Sequence, residues 1–588
     1  MPAARRPTAR GWRRDALPAF VAALVMLAVH AAGGFQTLQS AGGDNDSLLR
    51  LVEVRDLLGG QGWFDLMQYR MGPQGGFLMH WSRLVDGPLA ALVMLGTALT
   101  GSAAAGEVLA LVAWPFLLSV AAMALLLRLA RMFGGNRAVL PAAIVGAAAL
   151  HFTGVFAPGC IDHHNVQLVL ALAVAVMLAD GGARSALVAG IGSSLMLAVG
   201  MESAPYVAVA GLWAAGHFLF RGERSAPAAF GIGFAATAAA CLAVTVAPSR
   251  WGVAECDAFS LPQFALAGIG GVGLALAALL PSTAWWMRLG WLAVIGIAAG
   301  AVAVAFFPQC LSAPFADLDP RLKTYWLNSV TEALPVWTIV ATRPVMIFGY
   351  YATPLLGALL LALRLTRGGI RRVDLVVAAF LGMAVLVSFW QVRGSMFAIP
   401  LAVVPLSAWI AAAREAAARR QSGAALHMAL AWLLSVNLVW AGGARAAAQQ
   451  LGLAEPVPAP GVAGGPCYTA ADYAQLAALP PTTVLAVSNL GAPILRYTQH
   501  RALAGPYHRN VAGNLLALDA LMGNPETAAA ALRANGVTLL AHCRGNSESG
   551  VLAGWAPDGL MAALLAGKPP AWLEPVSGGG DLVLYRVR

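Results

Sequence analysis

The chain has 588 residues, of which 59% are hydrophobic and only 11% charged, a balance that excludes an ordinary soluble globular protein and points to an integral membrane protein. The formal charge of +10 comes mainly from arginine, clustered at Arg5–Arg14, Arg128–Arg137, Arg221–Arg224, Arg364–Arg372 and Arg414–Arg420 between apolar runs. Without interleaved aromatic residues these clusters exclude a nucleic-acid surface and match the basic excess of cytoplasmic loops.

The first apolar run, Leu17–Gly33, is followed by no small-residue cleavage site. It reads as an uncleaved first span with its amino terminus inside. The polar stretch Gly34–Asp86 then lies outside, too long and too rich in charge, glycine and aromatic residues for a connector. Pro88–Thr100 is apolar but only about 13 residues long, short of the roughly 20 needed to cross a bilayer. A crossing there would also carry Arg128, Arg131 and Arg137 outside, so it is predicted as a re-entrant or interfacial helix, with Gly106–Ala130 as the second span.

Further spans are predicted at Ala138–Ala157, Val166–Leu178, Ser185–Val199, Ala204–Phe220, Ala229–Ala247, Phe264–Leu280, Trp286–Phe306, Val336–Leu365, Asp374–Trp390, Gly394–Ala412 and Ala425–Val439. The expected fold is a polytopic α-helical membrane protein of about thirteen transmembrane helices. Residues 1–441 would form the transmembrane domain, with the external loop 34–86, and residues 442–588 a soluble extracytoplasmic α/β domain. Within G-I-G-G-V-G, Gly268–Gly273, the glycines sit in an apolar span and are read as close helix packing.

Five polar stretches share the outer side: Gly34–Asp86, Pro158–Asn165, Pro248–Pro262, Pro308–Pro335 and Gln391–Arg393. Ionisable groups at membrane boundaries are functional candidates. Pro158–Gln167 reads P-G-C-I-D-H-H-N-V-Q, where Asp162, His163 and His164 can hold a divalent ion, move protons, or form a solvated loop. Gly42–Leu58 places Asp44 and Asp46 before a helical pattern of Leu48, Leu51, Val52 and Leu58. Asp46-Ser47 can cap that helix, or the carboxylate can ligate Mg²⁺ or Mn²⁺. The run from Trp63 to His80 and Arg83 can pack a peripheral helix or line a substrate groove. Glu332 pairs with Arg321 or Lys323, or else belongs to a site; Arg393 snorkels to head groups or clamps a substrate phosphate. Glu202 is a weaker member of the set.

Together these residues resemble the GT-C superfamily of membrane glycosyltransferases that use polyprenyl-phosphate sugars, most specifically the catalytic subunit of oligosaccharyltransferases. Asn45-Asp46 with Arg55-Asp56 is similar to the family's first acidic motif, G-C-I-D-H-H-N-V-Q to its D-H-H motif, S-V-T-E (Ser329–Glu332) to its external-loop glutamate motif, and Arg393 to its phosphate-contacting arginine. The resemblance covers residues 10–440 and implies thirteen spans and a carboxyl-terminal extracytoplasmic domain. It implies a Mn²⁺ or Mg²⁺ ion held by Asp46, Asp162 and His164. Asp46, Glu332 and Asp44 would be catalytic, while Arg393, His163, His80 and Arg83 would bind substrate.

Two departures matter. Gln167 stands where the family has a glutamate, and no W-W-D follows the last span, since Trp285-Trp286 precedes Met287. The second departure favours a glycan or lipid acceptor over asparagine in protein. The implied partners are a polyprenyl-linked sugar donor, membrane lipid and that acceptor, with no nucleic acid; a monomer suffices. The implied location is the bacterial cytoplasmic membrane, with a periplasmic carboxyl-terminal domain.

In the tail, Val484–Val487 and Val537–Leu540 read as strands, and Pro525–Arg533 as a helix between them. His508 and Arg509 face phosphate or sugar, or close a hydrogen-bonded loop. Cys467 with Cys543, and Cys256 with Cys310, are possible external disulfides. Two other functions stay open: a transporter, and a transferase of phosphoethanolamine or another non-sugar group from lipid. The latter needs a nucleophile, with Ser47, Ser82 and His80 as candidates.

Overall fold

A computed structural model describes residues 10–40, 44–281, 284–453, 467–576 and 580–588. The first part of the leading arginine cluster, together with Gly42 and Gly43, lies outside them. The amino-terminal run forms α1 (Arg10–Ala32), followed by α2 (Gln36–Ser40) and α3 (Asn45–Leu58). A small antiparallel pair, β1 (Met67–Gln68) and β2 (Phe77–Leu78), precedes α4 (Arg83–Thr100) and the 32-residue α5 (Ala103–Gly134). Then come α6 (Val139–Thr153), α7 (His164–Asp180), α8 (Gly182–Val199), α9 (Ala204–Arg221), α10 (Ser225–Thr245), α11 (Leu261–Leu279) and α12 (Trp285–Phe306). After the short α13 (Pro320–Tyr325) and α14 (Val336–Thr342) follow α15 (Pro344–Thr366), α16 (Arg372–Trp390), α17 (Ser395–Ala418), α18 (Ala424–Leu434) and α19 (Asn437–Gln450).

Ion pairs settle which helix ends share a rim. Asp15 meets Arg131 at 2.5 Å, Arg128 meets Asp180 at 3.8 Å, Arg137 meets Glu415 at 2.5 Å and Arg364 meets Asp374 at 2.9 Å. These contacts gather the predicted cytoplasmic clusters into one arginine-rich rim. At the other end of α5, Glu107 pairs with Arg55 of α3 at 2.6 Å. Helix α4 is long and apolar enough to cross, yet it starts beside α3 and ends two residues before α5, so both ends lie on the rim opposite the arginines. Both ends on one rim fit the re-entrant or interfacial helix expected at Pro88–Thr100. Among the described residues ten helices besides α4 are long and apolar enough to cross a membrane, and eleven with the bent pair α18–α19; counting the shorter α6 and α7 gives thirteen. Two of them, α6 and α7, are short, at 15 and 17 residues.

Two predicted spans differ from the structure. Val336–Leu365 is broken at Arg343, whose φ of −144° and ψ of 58° are non-helical; a residue before proline is pushed out of the helical region. The last span bends by 83° between α18 and α19. The glycine-rich stretch of α11 packs as expected in part: a Cβ on Gly271 would fall 2.7 Å from the Gly231 carbonyl oxygen of α10, whereas Gly268 and Gly270 face open space.

The carboxyl-terminal region carries a five-stranded sheet in the order β4-β3-β5-β7-β6. Here β3 is Thr483–Leu485, β4 Arg501–Ala502, β5 Val537–Cys543, β6 Leu573–Pro575 and β7 Leu582–Val587. Strand β3 runs parallel to β4 and β5, while β7 is antiparallel to β5 and β6. The predicted helix is present as Pro525–Ala534. Both candidate disulfides, Cys256–Cys310 and Cys467–Cys543, are formed. The apolar core of this α/β layer is shared with Leu48, Leu49 and Val52 of α3, with Met79 and Trp81, and with Leu322 and Trp326. The guanidinium of Arg70 adds bonds to the carbonyls of Leu495 and Thr498, each at 3.0 Å. The external loop is therefore clamped between membrane helices and the carboxyl-terminal layer, which positions the site below.

Candidate active site

The site begins at the amino terminus of α3. Asp44, in an extended conformation, caps the helix by accepting the amides of Asp46 at 3.0 Å and Ser47 at 3.2 Å. The cap is therefore Asp44 rather than the predicted Asp46-Ser47. Asp46 is left in the first turn, where its carboxylate accepts no hydrogen bond from the described residues. Burial, then the negative charge of Asp162, then that of Asp44 push the Asp46 pKa well above the usual carboxylate range. Burial and Asp162 also raise Asp44, to about 6, although its bonds to Ser47 and Asp46 act the other way.

One turn beyond Asp46 stands Arg50, fully buried. It donates to Asp86 at 2.8 Å, lies against the Trp81 ring at 4.2 Å and faces Asp162 at 3.7 Å. Ser47 ties α3 to the D-H-H loop, since its hydroxyl oxygen accepts the amides of Ile161 at 3.0 Å and Asp162 at 3.2 Å.

Asp162 sits between two imidazoles, with His163 Nδ1 at 2.5 Å and His164 Nδ1 also in contact. Donor atoms of these three residues lie within 4.8 Å of one another. The outer nitrogen of His164, Nε2, is buried and has no hydrogen-bond partner among the described residues. Burial opposes charge on His163, but Asp162 and Glu202 outweigh it and raise the pKa to about 10. Burial likewise opposes ionisation of Asp162 and Glu202. For both, the adjacent histidines prevail and hold the carboxyl well below its ordinary value.

Glu202 links this group to the opposite wall. It accepts from Gln167 Nε2 at 2.9 Å, faces His163 Nε2 at 3.7 Å and meets Arg393 at 3.8 Å. The junction is tight: a Cβ on Gly200 would lie 2.4 Å from Gln167 Nε2 and 2.6 Å from a Glu202 oxygen. Arg393, on the turn between α16 and α17, also meets Glu332 at 3.5 Å. A backbone bond from Val392 to the Leu334 carbonyl, at 3.0 Å, joins that turn to the loop carrying Glu332. Burial opposes charge on Arg393, and Glu332 and Glu202 restore and raise its pKa.

The remaining candidates have other surroundings. Arg83 is built into the external loop, donating to Asp86, to Gln61 and to the carbonyls of Trp63 and Asp65. It therefore lacks an uncommitted face for substrate. His80 joins a second group with Asp257 and His508, and burial, then His508, keeps its pKa well below the ordinary imidazole value. His508 and Arg509 are bonded to Asp257, and Arg509 to Glu255 as well. Glu332 does not pair with Arg321 or Lys323, because Arg321 goes to Asp319 and Asp519, and Lys323 to the Ala316 carbonyl.

Sequence reading missed Arg50 and Asp86 and undervalued Glu202. The available signals were a lone arginine inside the apolar run Leu48–Val54, one turn after Asp46, and the i, i+3 spacing of Arg83 and Asp86.

No family model and no curated protein matches the chain. Solved structures do. The oligosaccharyltransferase AglB of Archaeoglobus fulgidus, in complex with an inhibitory peptide and a dolichol-phosphate, superposes with a TM-score of 0.62 at 14% identity, covering 97% of this chain and 74% of that one. The apo form of the Archaeoglobus fulgidus enzyme gives 0.63 at 14%, covering 93% and 71%. Its complex with Zn and sulfate gives 0.59 at 13%, covering 96% and 72%. The chain thus shares the fold of these archaeal oligosaccharyltransferase structures, a polytopic helical bundle with a carboxyl-terminal α/β domain.

Proposed function

We propose that the chain is a divalent-cation-dependent glycosyltransferase, moving a sugar or glycan from a polyprenyl-phosphate or polyprenyl-diphosphate donor to an extracytoplasmic glycan or lipid, ahead of protein, as acceptor. The observation that carries this reading is the meeting of Asp46, a half-buried carboxylate that accepts no hydrogen bond from the described residues, with the Asp162-His163-His164 group and the Glu202-Arg393-Glu332 chain at one rim. A dolichol-phosphate complex of the archaeal relative supports the donor class, and its Zn and sulfate complex supports a cation beside an anion.

The residues fit a divalent cation. A carboxylate and imidazoles offer donor atoms within 4.8 Å, and His164 Nε2 is buried without a partner among the described residues. Asp46, Asp162 and His164 would hold Mn²⁺ or Mg²⁺. When bound, the cation supplies neutralisation of negative charge on the departing phosphate.

The chain's own side chains do the rest. Arg393 exchanges its present carboxylate contacts for a substrate phosphate oxygen, and His163, charged between Asp162 and Glu202, adds a second donor. The acceptor hydroxyl oxygen bonds to the anomeric carbon as the bond from that carbon to phosphate breaks; the electron pair leaves with the phosphate. The hydroxyl proton passes to a carboxylate oxygen of Asp46 or Asp44. Asp44 orients the turn, and Glu332 orients the acceptor. Protein ranks below other acceptors because no W-W-D follows the last span; Trp285 and Trp286 are exposed at the arginine-rich end of α12.

A lipid-derived non-sugar transfer through a serine nucleophile finds less support. The Ser47 hydroxyl is committed to Asp44 and two amides, and Ser82 caps α4. We place the protein in the bacterial cytoplasmic membrane, with residues 442–588 periplasmic. The test is incubation of purified protein with radiolabelled polyprenyl-phosphate and polyprenyl-diphosphate sugars in lipid, with Mn²⁺, Mg²⁺ or EDTA. Cation-dependent release of label from the carrier is expected; an intact donor panel under all conditions would refute the reading.

A further inference from the structure

We propose that the arginine-rich rim holds a phosphate group belonging to an anionic bilayer lipid. The site is a cleft between the α7–α8 turn, α9, α10 and the start of α16, lined by Gly181, Trp213, His217, Pro227, Phe230 and Arg372. It lies on the rim opposite the catalytic candidates and is independent of the reaction assigned to them.

Most arginines on this rim are committed. Arg131 meets Asp15, Arg137 meets Glu415, and Arg364 and Arg371 share Asp374. Arg372 differs. Among the described residues only its Nη2 is engaged, with the His217 ring at 3.2 Å and Glu223 at 3.9 Å. Its Nε is buried without a hydrogen bond to any described residue, as is the indole nitrogen of Trp213 in the same wall. Nη1 has no acceptor among the described residues and occupies space left by a missing side chain, 2.1 Å from where a Cβ on Gly181 would stand. Beside the cleft, where Gly222 caps the same end of α9 and adjoins Glu223, Arg288 repeats the arrangement: its Nη1 would lie 2.0 Å from a Cβ on Gly222, and its Nε is buried and unpartnered among the described residues. Arg288 and Arg221 have no ion pair among the described residues. The nearby acids are Glu223, shared by His217 and Arg372, and Asp180, already held by Arg128.

A fork of unmatched guanidinium donors is the chemistry that recognises a phosphate oxygen. The surroundings select a lipid as its source. Trp213, Pro227 and Phe230 make the cleft walls apolar, and the same helix presents Leu212 and Phe220, 72% and 81% exposed, to the bilayer. Acyl chains can cover such surface, whereas inorganic phosphate cannot. Basic pockets between helices at a membrane rim bind anionic head groups in this way.

Thermal unfolding of the full chain in an uncharged detergent, titrated with phosphatidylglycerol, phosphatidylcholine or inorganic phosphate, tests the proposal. Phosphatidylglycerol is expected to raise the Tm saturably, and the other two are not. Arg372→Gln and Arg288→Gln should each weaken the apparent lipid affinity about fivefold, and Gly181→Ala should do likewise by displacing Arg372. Arg419→Gln removes one charge from the same rim but outside the cleft and should leave the affinity within about twofold. If Arg372→Gln does not fold, Arg288→Gln and Gly181→Ala carry the test. An equal response to phosphatidylcholine, an equal response to inorganic phosphate, or an Arg419→Gln loss as large as that of the cleft variants would overturn it.

Discussion

Arg50 and Asp86 form an ion pair at 2.8 Å with both side chains wholly excluded from solvent, and Arg83 shares the same carboxylate at 3.1 Å. This contact fastens α3 to α4 directly behind Asp162. A buried pair is costly to break because the surviving charge cannot reach water. Asp86→Ala should therefore destabilise the protein by about 3–5 kcal/mol, leaving the buried Arg83 without its carboxylate and Arg50 with only the more distant Asp162. Thermal unfolding in mild detergent would measure it, and a Tm unchanged from wild type would contradict the role given to the pair.

Gly200 admits Gln167 and Glu202 because it has no side chain. With a Cβ 2.4 and 2.6 Å from those two groups, Gly200→Ala forces the junction apart, at a cost of about 1–3 kcal/mol for overpacking. Activity should fall further than stability does, since Glu202 connects His163 with Arg393. Comparing the initial transfer rate with the Tm checks this; a stable variant with full activity would exclude Glu202 from positioning either residue.

Glu53 supplies a pH dependence. Burial, then the Asp86 charge, raises its pKa to about 8 from an ordinary 4.5. The folded state thus holds a proton that the unfolded chain has released between these values. Its stabilising contribution is fully present below the unfolded pKa and is lost as pH rises through about 8. Glu53→Gln should flatten the decline of Tm between about pH 4.5 and 8. Parallel slopes for the two proteins would rule out Glu53 as the group responsible.

The disulfides predict a cysteine count. Six cysteines are present, of which Cys160 and Cys241 are free. Mass spectrometry after alkylation in denaturant should find two labelled sites without reductant and six with it. Removing Cys467–Cys543, which spans 76 residues, should cost about 4 kcal/mol on the chain-entropy account. Four or more labels without reductant would show that at least one bond does not form.

Much of this architecture was legible in the sequence. Arginine clusters gave the side of each loop, so the re-entrant or interfacial placement of α4 followed even though its composition suits a span. The order of Asp46, Asp162, His164, Glu332 and Arg393 along alternating spans predicted their common rim. Partner choice was hidden, because Glu332 has arginine and lysine neighbours in sequence but meets Arg393 through a turn between α16 and α17. The break at Arg343-Pro344 carries a local signal; the bend after Leu434 has neither proline nor glycine to announce it. Nor does periodicity reveal that Trp81 and Leu322 share a core with Leu485 and Leu540, since that depends on how distant loops stack.

The central claim is that Asp46 and Asp162 act in one glycosyl-transfer site. Its most direct test is the rate of sugar release from a polyprenyl-linked donor by wild type, Asp46→Asn and Asp162→Asn, alongside donor binding and Tm for each. The account predicts folded variants that still bind the donor but lose about 10²-fold or more of the Mn²⁺- or Mg²⁺-supported rate. Wild-type rates in both variants, or a rate unaffected by EDTA in the wild type, would contradict it.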